Sequence, residues 1–447
     1  MYIFKKIPLK PFVLNDYKLK KFSLSGNAEV PGDKSMSQRA VIIGLASIGQ
    51  TVIKGILDSE DVFYTLKAIE ALGAKVYINK NKKTITIKGV GLGNFKSPKK
   101  PIYMGNSGTG TRLLIGLVAG SNATATFYGD ESLSNRPMDR IINPLKKMGA
   151  NFIFSEEKKL PITVIGARKK GITMPIKYKS PVASAQIKSA IILAGLTARG
   201  ITQIQEPYKS RNYTEVMLKK CGVDINSKIS KKYINTITVN GTSYLKNCNF
   251  NIPSDPSSAL FIVVACLITK GSKVKIENIL YDTIRLKVFK ILIKMGGKIK
   301  INKTSIETCE IIAKYSNLTN INLNRNDTTS LIDEFPALSI AAACGKGKMI
   351  MKGLRELRYK ESDRFKSISE GLRDAGVQVN TFKDDMEIIG TRKVLGGNII
   401  DAQNDHRIAM SFNLLNLFSE KPIKVIGNKS ILTSFPAFFS TLKLLKK

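Results

Sequence analysis

A short polar loop running into a stretch of small and aliphatic residues recurs six times along this chain. The copies are "GDKSMSQRAVIIGLASIG" from 32, "GNSGTGTRLLIGLVAG" from 105, "SPVASAQIKSAIILAGL" from 180, "IPSDPSSALFIVVACL" from 252, "LIDEFPALSIAAACGKG" from 331 and "NDHRIAMSFNLLNLF" from 404. Successive copies start roughly 70 to 80 residues apart, longer than solenoid periods, so each heads a whole supersecondary unit. A second mark follows the first five: "ALGAKV" (71), "KMGANF" (147), "KCGVDI" (220), "KMGGKI" (294) and "DAGVQV" (374). Each reads as an amphipathic helix that stops at a Gly, the usual left-handed residue past a helix end, before an alternating strand begins.

The repeat is therefore strand, buried helix, strand, exposed helix, strand, and the fold class is α/β, with βαβαββ-like units. "FKSISEGLRDAGVQV" shows the exposed type, with Phe365, Ile368 and Leu372 on one face. "SAIILAGL" is apolar all round, which places such helices inside a layer of sheets and outer helices. Six units suggest two domains of three. The similar tetrapeptides "VPGD" (30–33) and "IPSD" (252–255) are the expected crossing points, because proline fixes φ and biases its neighbour to extended backbone. The expected domains are 33–252, and 1–32 together with 253–447.

If the buried helices of a domain run parallel, their polar N-terminal loops collect on one face, and six such ends around an interdomain cleft make an anion site. Lys34 and Arg39 near the first helix start support that reading. Cations at a helix N-terminus are unfavourable by about a few tenths of a kcal/mol each, which an anionic ligand would offset.

The chain has 447 residues, 43% hydrophobic and 23% charged, a globular composition that argues against disorder. Its longest apolar run, "ALFIVVACLI" (259–268), is about half the length a membrane helix needs. "MYIFKKIPLKPFVLND" has no secretory pattern, and the expected location is cytoplasmic. Five scattered cysteines without C-x-x-C and a single histidine, His406, argue against a disulfide framework or a His/Cys metal site. The net charge of +37 admits nucleic acid as a partner, but the lysines are dispersed, without block runs or interleaved aromatics.

The loops supply the candidates for chemistry. "GNSGTGTR" offers backbone N–H groups, Thr109 and Arg112; it is not a Walker A loop, since no Lys-Ser/Thr follows at the required spacing. "SLSNRPMDR" contributes Arg136. "ELRYKESDR" sets Glu361 between Lys360 and Arg364, and "LIDEFP" brings Asp333; the two carboxylates form an acidic pair among many cations, suited to general acid/base work. "NDHRIAM" adds Arg407, a better anion ligand than the neighbouring His406. No nucleophile motif, metal cluster or dinucleotide fingerprint accompanies them.

These residues resemble a known family. "GDKSMSQRA", "GNSGTGTR", "NRPMDR", "SAQIKSA", "LIDEFP", "LRYKESDR", "NDHRIAM" and "TSFPAFF" look like the ordered motifs of the 5-enolpyruvylshikimate-3-phosphate synthase family, spread from about residue 31 to 440. The resemblance implies the two-domain enolpyruvyl transferase fold and transfer of the enolpyruvyl group of phosphoenolpyruvate to the 5-hydroxyl of shikimate 3-phosphate, on the route to chorismate and the aromatic amino acids. It implies addition then elimination, with no metal and no organic cofactor; a monomer is the expected state. By motif, it implies that Lys34, Ser35, Arg39, Ser184, Gln186, Arg211, Asp333 and Lys360 meet shikimate 3-phosphate. Lys34, Gly108, Thr109, Arg136, Gln186, Arg364 and Arg407 would meet phosphoenolpyruvate. Asp333 would take the 5-hydroxyl proton, and Glu361 would protonate the methylene carbon and later deprotonate the methyl group.

Thr433 stands where many members have Lys, and Asn212-Tyr213 where Asp-His is common. The "SAQ" and "RPMDR" forms resemble a glyphosate-tolerant subgroup, yet Gly108 occupies a position where tolerant members can carry Ala. Two other readings stay open from the sequence: the sister transferase acting on UDP-N-acetylglucosamine, whose reactive-loop cysteine has no counterpart in "GDESLSNRPMDR", and a basic nucleic-acid-binding protein on related repeats.

Overall fold

The computed structural model describes residue 3 and residues 22–155, 159–242, 244–328 and 331–447; apart from Ile3, the N-terminal stretch read above for a secretory pattern lies outside them. Two compact units are resolved. One contains Lys34–Ile252, and the other contains Pro253–Lys447 with residues 22–33.

In the first unit the repeat is explicit. Three four-stranded sheets share one plan, in which the first pair of strands is parallel and the next two pairs are antiparallel. They run Phe250–Asn251, Ile48–Lys54, Thr84–Val90, Lys75–Asn79; Ile102–Tyr103, Thr124–Tyr128, Ile162–Ile165, Asn151–Phe154; and Lys177–Lys179, Ile201–Glu206, Asn235–Asn240, Ile225–Ile229. The second unit repeats the plan with Ser25–Ala28, Lys273–Leu280, Thr308–Lys314 and Lys298–Lys303. Its next sheet keeps three strands, Lys346–Met351, Asp385–Thr391 and Gln378–Phe382, with single parallel bridges from Thr319 and Leu323 where a first strand would run. The sixth copy is abbreviated to the parallel pair Ile399–Asp401 and Lys424–Ile426. After it the chain turns into the 3-10 segment Asn428–Thr433 and the helix Phe438–Leu445.

Two strands exchange places. Ser25–Ala28 precedes the first buried helix in sequence but pairs with Lys273–Leu280 of the second unit. Phe250–Asn251 precedes a second-unit helix but completes the first sheet of the first unit. The proline tetrapeptides that follow these strands pair with one another: Asp33 N–H donates to the Pro253 carbonyl and Asp255 N–H to the Pro31 carbonyl, both at 2.8 Å.

The apolar runs are buried helices. Pro256–Ile268 and Phe335–Cys344 are buried along their whole length, as is His406–Leu415. "FIVVACLI" is rich in β-branched residues that favour strand. Helix wins because Pro256 sits at the first turn, the Asp255 carboxylate accepts the Ser257 N–H at 2.8 Å, and burial of each large side chain contributes about 1.5–3 kcal/mol in the surrounding layers. In the first unit, Gly108–Ala119 and Ala185–Gly195 run parallel. Gln186 meets Thr109, the Gly116 backbone faces Ala190, and the Gly120 backbone faces Ala194. A methyl on either glycine would strike the facing carbonyl, so these positions require Gly for close approach.

The outer helices end as the repeated mark predicts. Gly73, Gly149, Gly222, Gly296 and Gly376 all have positive φ, between 82° and 111°. Among the described residues no helix is long and apolar enough to cross a membrane.

Candidate active site

Each unit gathers its unusual polar residues at the N-terminal ends of its buried helices. In the first unit, helix Lys34–Ala46 begins with Lys34, which the sequence left with its charge unbalanced. The structure supplies a protein partner: Lys34 Nζ is 2.5 Å from Asp61 Oδ2, with the lysine side chain 20% exposed and the aspartate 4%. Lys34 is thus held at the rim by a buried acid. Arg39 lies deeper, at 2% exposure, and donates to Ser35 Oγ at 2.6 Å, Thr214 Oγ1 at 2.7 Å and Ser189 Oγ at 3.1 Å. It ties three segments together and orients Ser35.

The glycine-rich loop becomes the start of helix Gly108–Ala119, with Ser107 as its N-cap. Gln186 Nε2 donates to Thr109 Oγ1 at 2.9 Å and its carbonyl accepts from Arg112 Nη1 at 2.9 Å, so Gln186 links two helix ends. Arg136 is buried. It donates to Asn106 Oδ1, and to Ser132 Oγ at 3.2 Å. Asn106 in turn donates to Asp130 Oδ2 at 2.8 Å. A methyl on Gly108 would lie 2.8 Å from Arg136 Nη1 and 3.1 Å from Arg112 Nη1. Gly108, Thr109, Arg112, Arg136 and Gln186 are therefore one cluster. Ser184 caps helix Ala185–Gly195 by accepting from Ile187 N–H at 3.4 Å, and Arg211 is half-buried in the loop before helix Tyr213–Lys220.

In the second unit the centre is Arg364, fully buried at the start of helix Arg364–Asp374. Its Nε is 2.7 Å from Asp405 Oδ2, its Nη2 is 2.5 Å from Glu361 Oε2, and its Nη1 is 3.4 Å from Asp333 Oδ1. Burial works against the cation, but Asp405, Glu361 and Asp333 outweigh it and raise the guanidinium pKa further. Lys360 Nζ lies 3.7 Å from Asp333 Oδ1, and Arg407 Nη1 donates to the Asp333 carbonyl at 2.6 Å. Asp333, Lys360, Glu361, Arg364 and Arg407 therefore meet, although 74 positions separate the first from the last. The side chains of Asp333 and Glu361 keep 22% and 21% exposure, so both carboxylates remain accessible to solvent or ligand. Thr433 turns its hydroxyl back onto the Ser430 carbonyl at 2.8 Å, a local 3-10 contact.

The sequence reading missed the acids that support these groups. Asp405, at 0% exposure, caps helix His406–Leu415 through Arg407 N–H and also grips Arg364. Arg285, 1% exposed, contacts Asp33 Oδ2 at 2.9 Å, Asp255 Oδ1 at 2.5 Å and, through Nε, Glu334 Oε1 at 3.6 Å. An Asp directly before the apolar run was the available cap signal for Asp255 and Asp405; Glu334 makes no side-chain cap and carried no such signal. Nothing local in "YDTIRLKVFK" marks Arg285 as buried.

Repeated α/β units with buried helix ends that present Arg, Lys and two accessible carboxylates define a protein for binding small anions and moving protons between them. Comparison with known proteins places it more narrowly. Residues 20–442 match the pattern of the EPSP synthase (3-phosphoshikimate 1-carboxyvinyltransferase) family, and the chain belongs to that family. It is similar to the 3-phosphoshikimate 1-carboxyvinyltransferases of Nitrobacter winogradskyi, 43% identical with 95% of each chain covered, and of Bartonella quintana, 41% identical with 94% of this chain and 96% of the relative covered. Among solved structures, EPSP synthase from Acinetobacter baumannii superposes with a TM-score of 0.82 at 37% identity, covering 95% of this chain and 96% of that one. The enolpyruvyl transferase NikO from Streptomyces tendae shares the fold at a TM-score of 0.71 and 15% identity, covering 95% of each chain. The expected fold and family are thereby established, and the nucleic-acid and nucleotide-sugar readings are not favoured.

Proposed function

We propose that this chain transfers the enolpyruvyl group of phosphoenolpyruvate to the 5-hydroxyl of shikimate 3-phosphate and releases inorganic phosphate. The observation that carries the reading is that Asp333 and Glu361 flank the buried guanidinium of Arg364 in a chain of the EPSP synthase family. Arg364 and Arg407 bind phosphoenolpyruvate, together with Lys34, Arg136, Gln186 and the backbone at Gly108 and Thr109. Lys34, Ser35, Arg39, Ser184, Gln186, Arg211, Asp333 and Lys360 bind shikimate 3-phosphate.

The 5-hydroxyl oxygen adds to C2 of phosphoenolpyruvate while its proton passes to Asp333, and Glu361 delivers a proton to C3. The product is a tetrahedral intermediate with a methyl group. Phosphate then leaves C2 carrying the proton that Asp333 had taken, and Glu361 takes a methyl proton as the enol ether double bond forms, which returns both carboxyl groups to their starting states. The arginines offset the charge of the phosphate and carboxylate groups throughout, so that the carboxylates handle only protons. We take the monomer as the working unit, with residues 33–252 as one substrate-handling domain and 1–32 together with 253–447 as the other.

Phosphate release by purified protein tests the reading. Release is expected with phosphoenolpyruvate plus shikimate 3-phosphate, no release when UDP-N-acetylglucosamine replaces the latter, and a loss of about 10²- to 10⁴-fold in kcat for Glu361→Gln. Release with the nucleotide sugar alone would overturn it.

A further inference from the structure

The buried helix Ala185–Gly195 carries one cation: Lys188, whose side chain is 1% exposed. Its ammonium lies 2.7 Å from Glu215 Oε1 and 3.1 Å from Glu206 Oε1, and it donates to the Ser210 carbonyl at 3.3 Å. Glu206 ends strand Ile201–Glu206, and Glu215 lies in the first turn of helix Tyr213–Lys220. Lys188 therefore holds both ends of the 207–212 connection as well as its interior. Ser210 is fixed through all three of its polar groups. Its N–H donates to Glu206 Oε1 at 3.0 Å, its hydroxyl to Glu206 Oε2 at 2.8 Å, and its carbonyl accepts from Lys188. Asn235 Nδ2 donates to Glu206 Oε1 at 2.8 Å and steadies the carboxylate from the neighbouring strand. The residue after Ser210 is Arg211.

The same elements carry a second link. Ser189, next to Lys188, and Thr214, next to Glu215, sit 2.6 Å apart, and Arg39 donates to both while holding Ser35. Burying an ammonium with two carboxylates is a poor way to gain stability, because an apolar set of similar volume avoids the desolvation. Such a network instead fixes geometry, since the hydrogen bonds of Lys188, Ser210 and Asn235 to Glu206 have set lengths and directions and the ion pair with Glu215 anchors the following helix.

We propose that Lys188 is a positioning residue for shikimate 3-phosphate: with Glu206 and Glu215 it fixes the 207–212 connection so that Arg211 is presented to the ligand's phosphate in one orientation. The proposal rests on the reading of Arg211 as a phosphate ligand. Lys188 touches no substrate and acts through Arg211 alone.

Steady-state kinetics of the whole chain test it. Lys188→Met is expected to raise KM for shikimate 3-phosphate about tenfold or more and to leave KM for phosphoenolpyruvate within about twofold. In an Arg211→Ala background, Lys188→Met should add little further, because the arginine it positions is gone. A full, additive effect in that background, or an equal rise in both KM values, would overturn the proposal as a general loss of structure. If Lys188→Met does not fold, Lys188→Met/Glu215→Gln removes one buried carboxylate along with the cation, and the same non-additivity is expected of it. If Arg211→Ala alone leaves KM for shikimate 3-phosphate unchanged, the Arg211 assignment fails and takes the proposal with it.

Discussion

Asp405 grips Arg364 with both carboxylate oxygens, at 2.7 Å to Nε and 3.3 Å to Nη2, while neither side chain reaches solvent. The same carboxylate caps helix His406–Leu415 through the Arg407 N–H at 2.9 Å. One acid therefore holds the guanidinium of Arg364 and the backbone of Arg407, two residues assigned to phosphoenolpyruvate. Removing it leaves a buried guanidinium with only Glu361 and Asp333 as named ionic partners. Asp405→Ala is expected to destabilise the protein by about 3–5 kcal/mol and to raise KM for phosphoenolpyruvate more than KM for shikimate 3-phosphate. Denaturant unfolding and initial-rate kinetics together check this. An unchanged unfolding midpoint would contradict the account of Asp405 as a buried ion-pair partner.

Arg285 is the corresponding support at the paired tetrapeptides. It joins Asp33 and Asp255, the last residues of "VPGD" and "IPSD", and reaches Glu334, the residue after Asp333. Three buried acids on one cation are tolerable because Asp255 and Glu334 sit at the N-terminal ends of buried helices, whose dipoles favour negative charge. Arg285→Met should cost about 3–5 kcal/mol by leaving those acids without their cation, and Arg285→Met/Glu334→Gln should recover part of the loss. A double variant as unstable as the single one would show that packing, and not charge, is what Arg285 supplies.

The repeats, the buried helices and the helix-ending glycines were legible in the sequence because each depends on local pattern: polarity period, cap and stop. Gly73 and Gly296 have the positive φ that their motif demands. The strand exchange was legible in outline, since the two proline tetrapeptides resemble each other. Their pairing and the burial of Asp33 and Asp255 on Arg285 come from tertiary contacts that proline does not signal. Lys34 shows the limit in the other direction. A cation at a helix start reads as waiting for a ligand, yet Asp61 lies 2.5 Å away, 27 positions along the chain. Asp405, Arg285 and Lys188 earn their roles from partners brought close only by tertiary packing, so local pattern could mark them as caps or oddities but not name what they hold.

The buried thiols give the fold a signature at alkaline pH. Cys266, in the last turn of helix Pro256–Ile268, has its thiol pushed up to about 12 by burial, partly opposed by a backbone hydrogen bond, from an ordinary value of 9.0. Because the folded-state pKa is raised, the contribution is complete below pH 9 and is lost as pH rises toward 12. Wild-type stability should therefore fall more steeply above pH 9 than that of Cys266→Ala, whatever their difference at neutral pH. Parallel pH–stability curves would sink the idea. At pH 8, an aromatic disulfide reagent should modify half-exposed Cys248 before Cys266 or Cys309, which are buried.

Gly108 sets the last expectation, for glyphosate, the inhibitor associated with this family. The position has no side chain, and an added methyl would stand 2.8 Å from Arg136 Nη1 and 3.1 Å from Arg112 Nη1, each closer than a carbon and a nitrogen normally approach. Arg136 is held by Asn106 and Ser132, and Arg112 by Gln186 and the Pro137 carbonyl. The guanidiniums must therefore shift by a few tenths of an ångström, and the loop surface gains a carbon where the glycine left space. An inhibitor that fills that space loses more than a smaller substrate does. Gly108→Ala is expected to raise the inhibition constant for glyphosate at least about tenfold while KM for phosphoenolpyruvate rises less, a difference on the order of 1 kcal/mol in binding. Equal factors for inhibitor and substrate would mean that the methyl acts only by displacing Arg136, and the claim that Gly108 leaves room specifically for the inhibitor would fall.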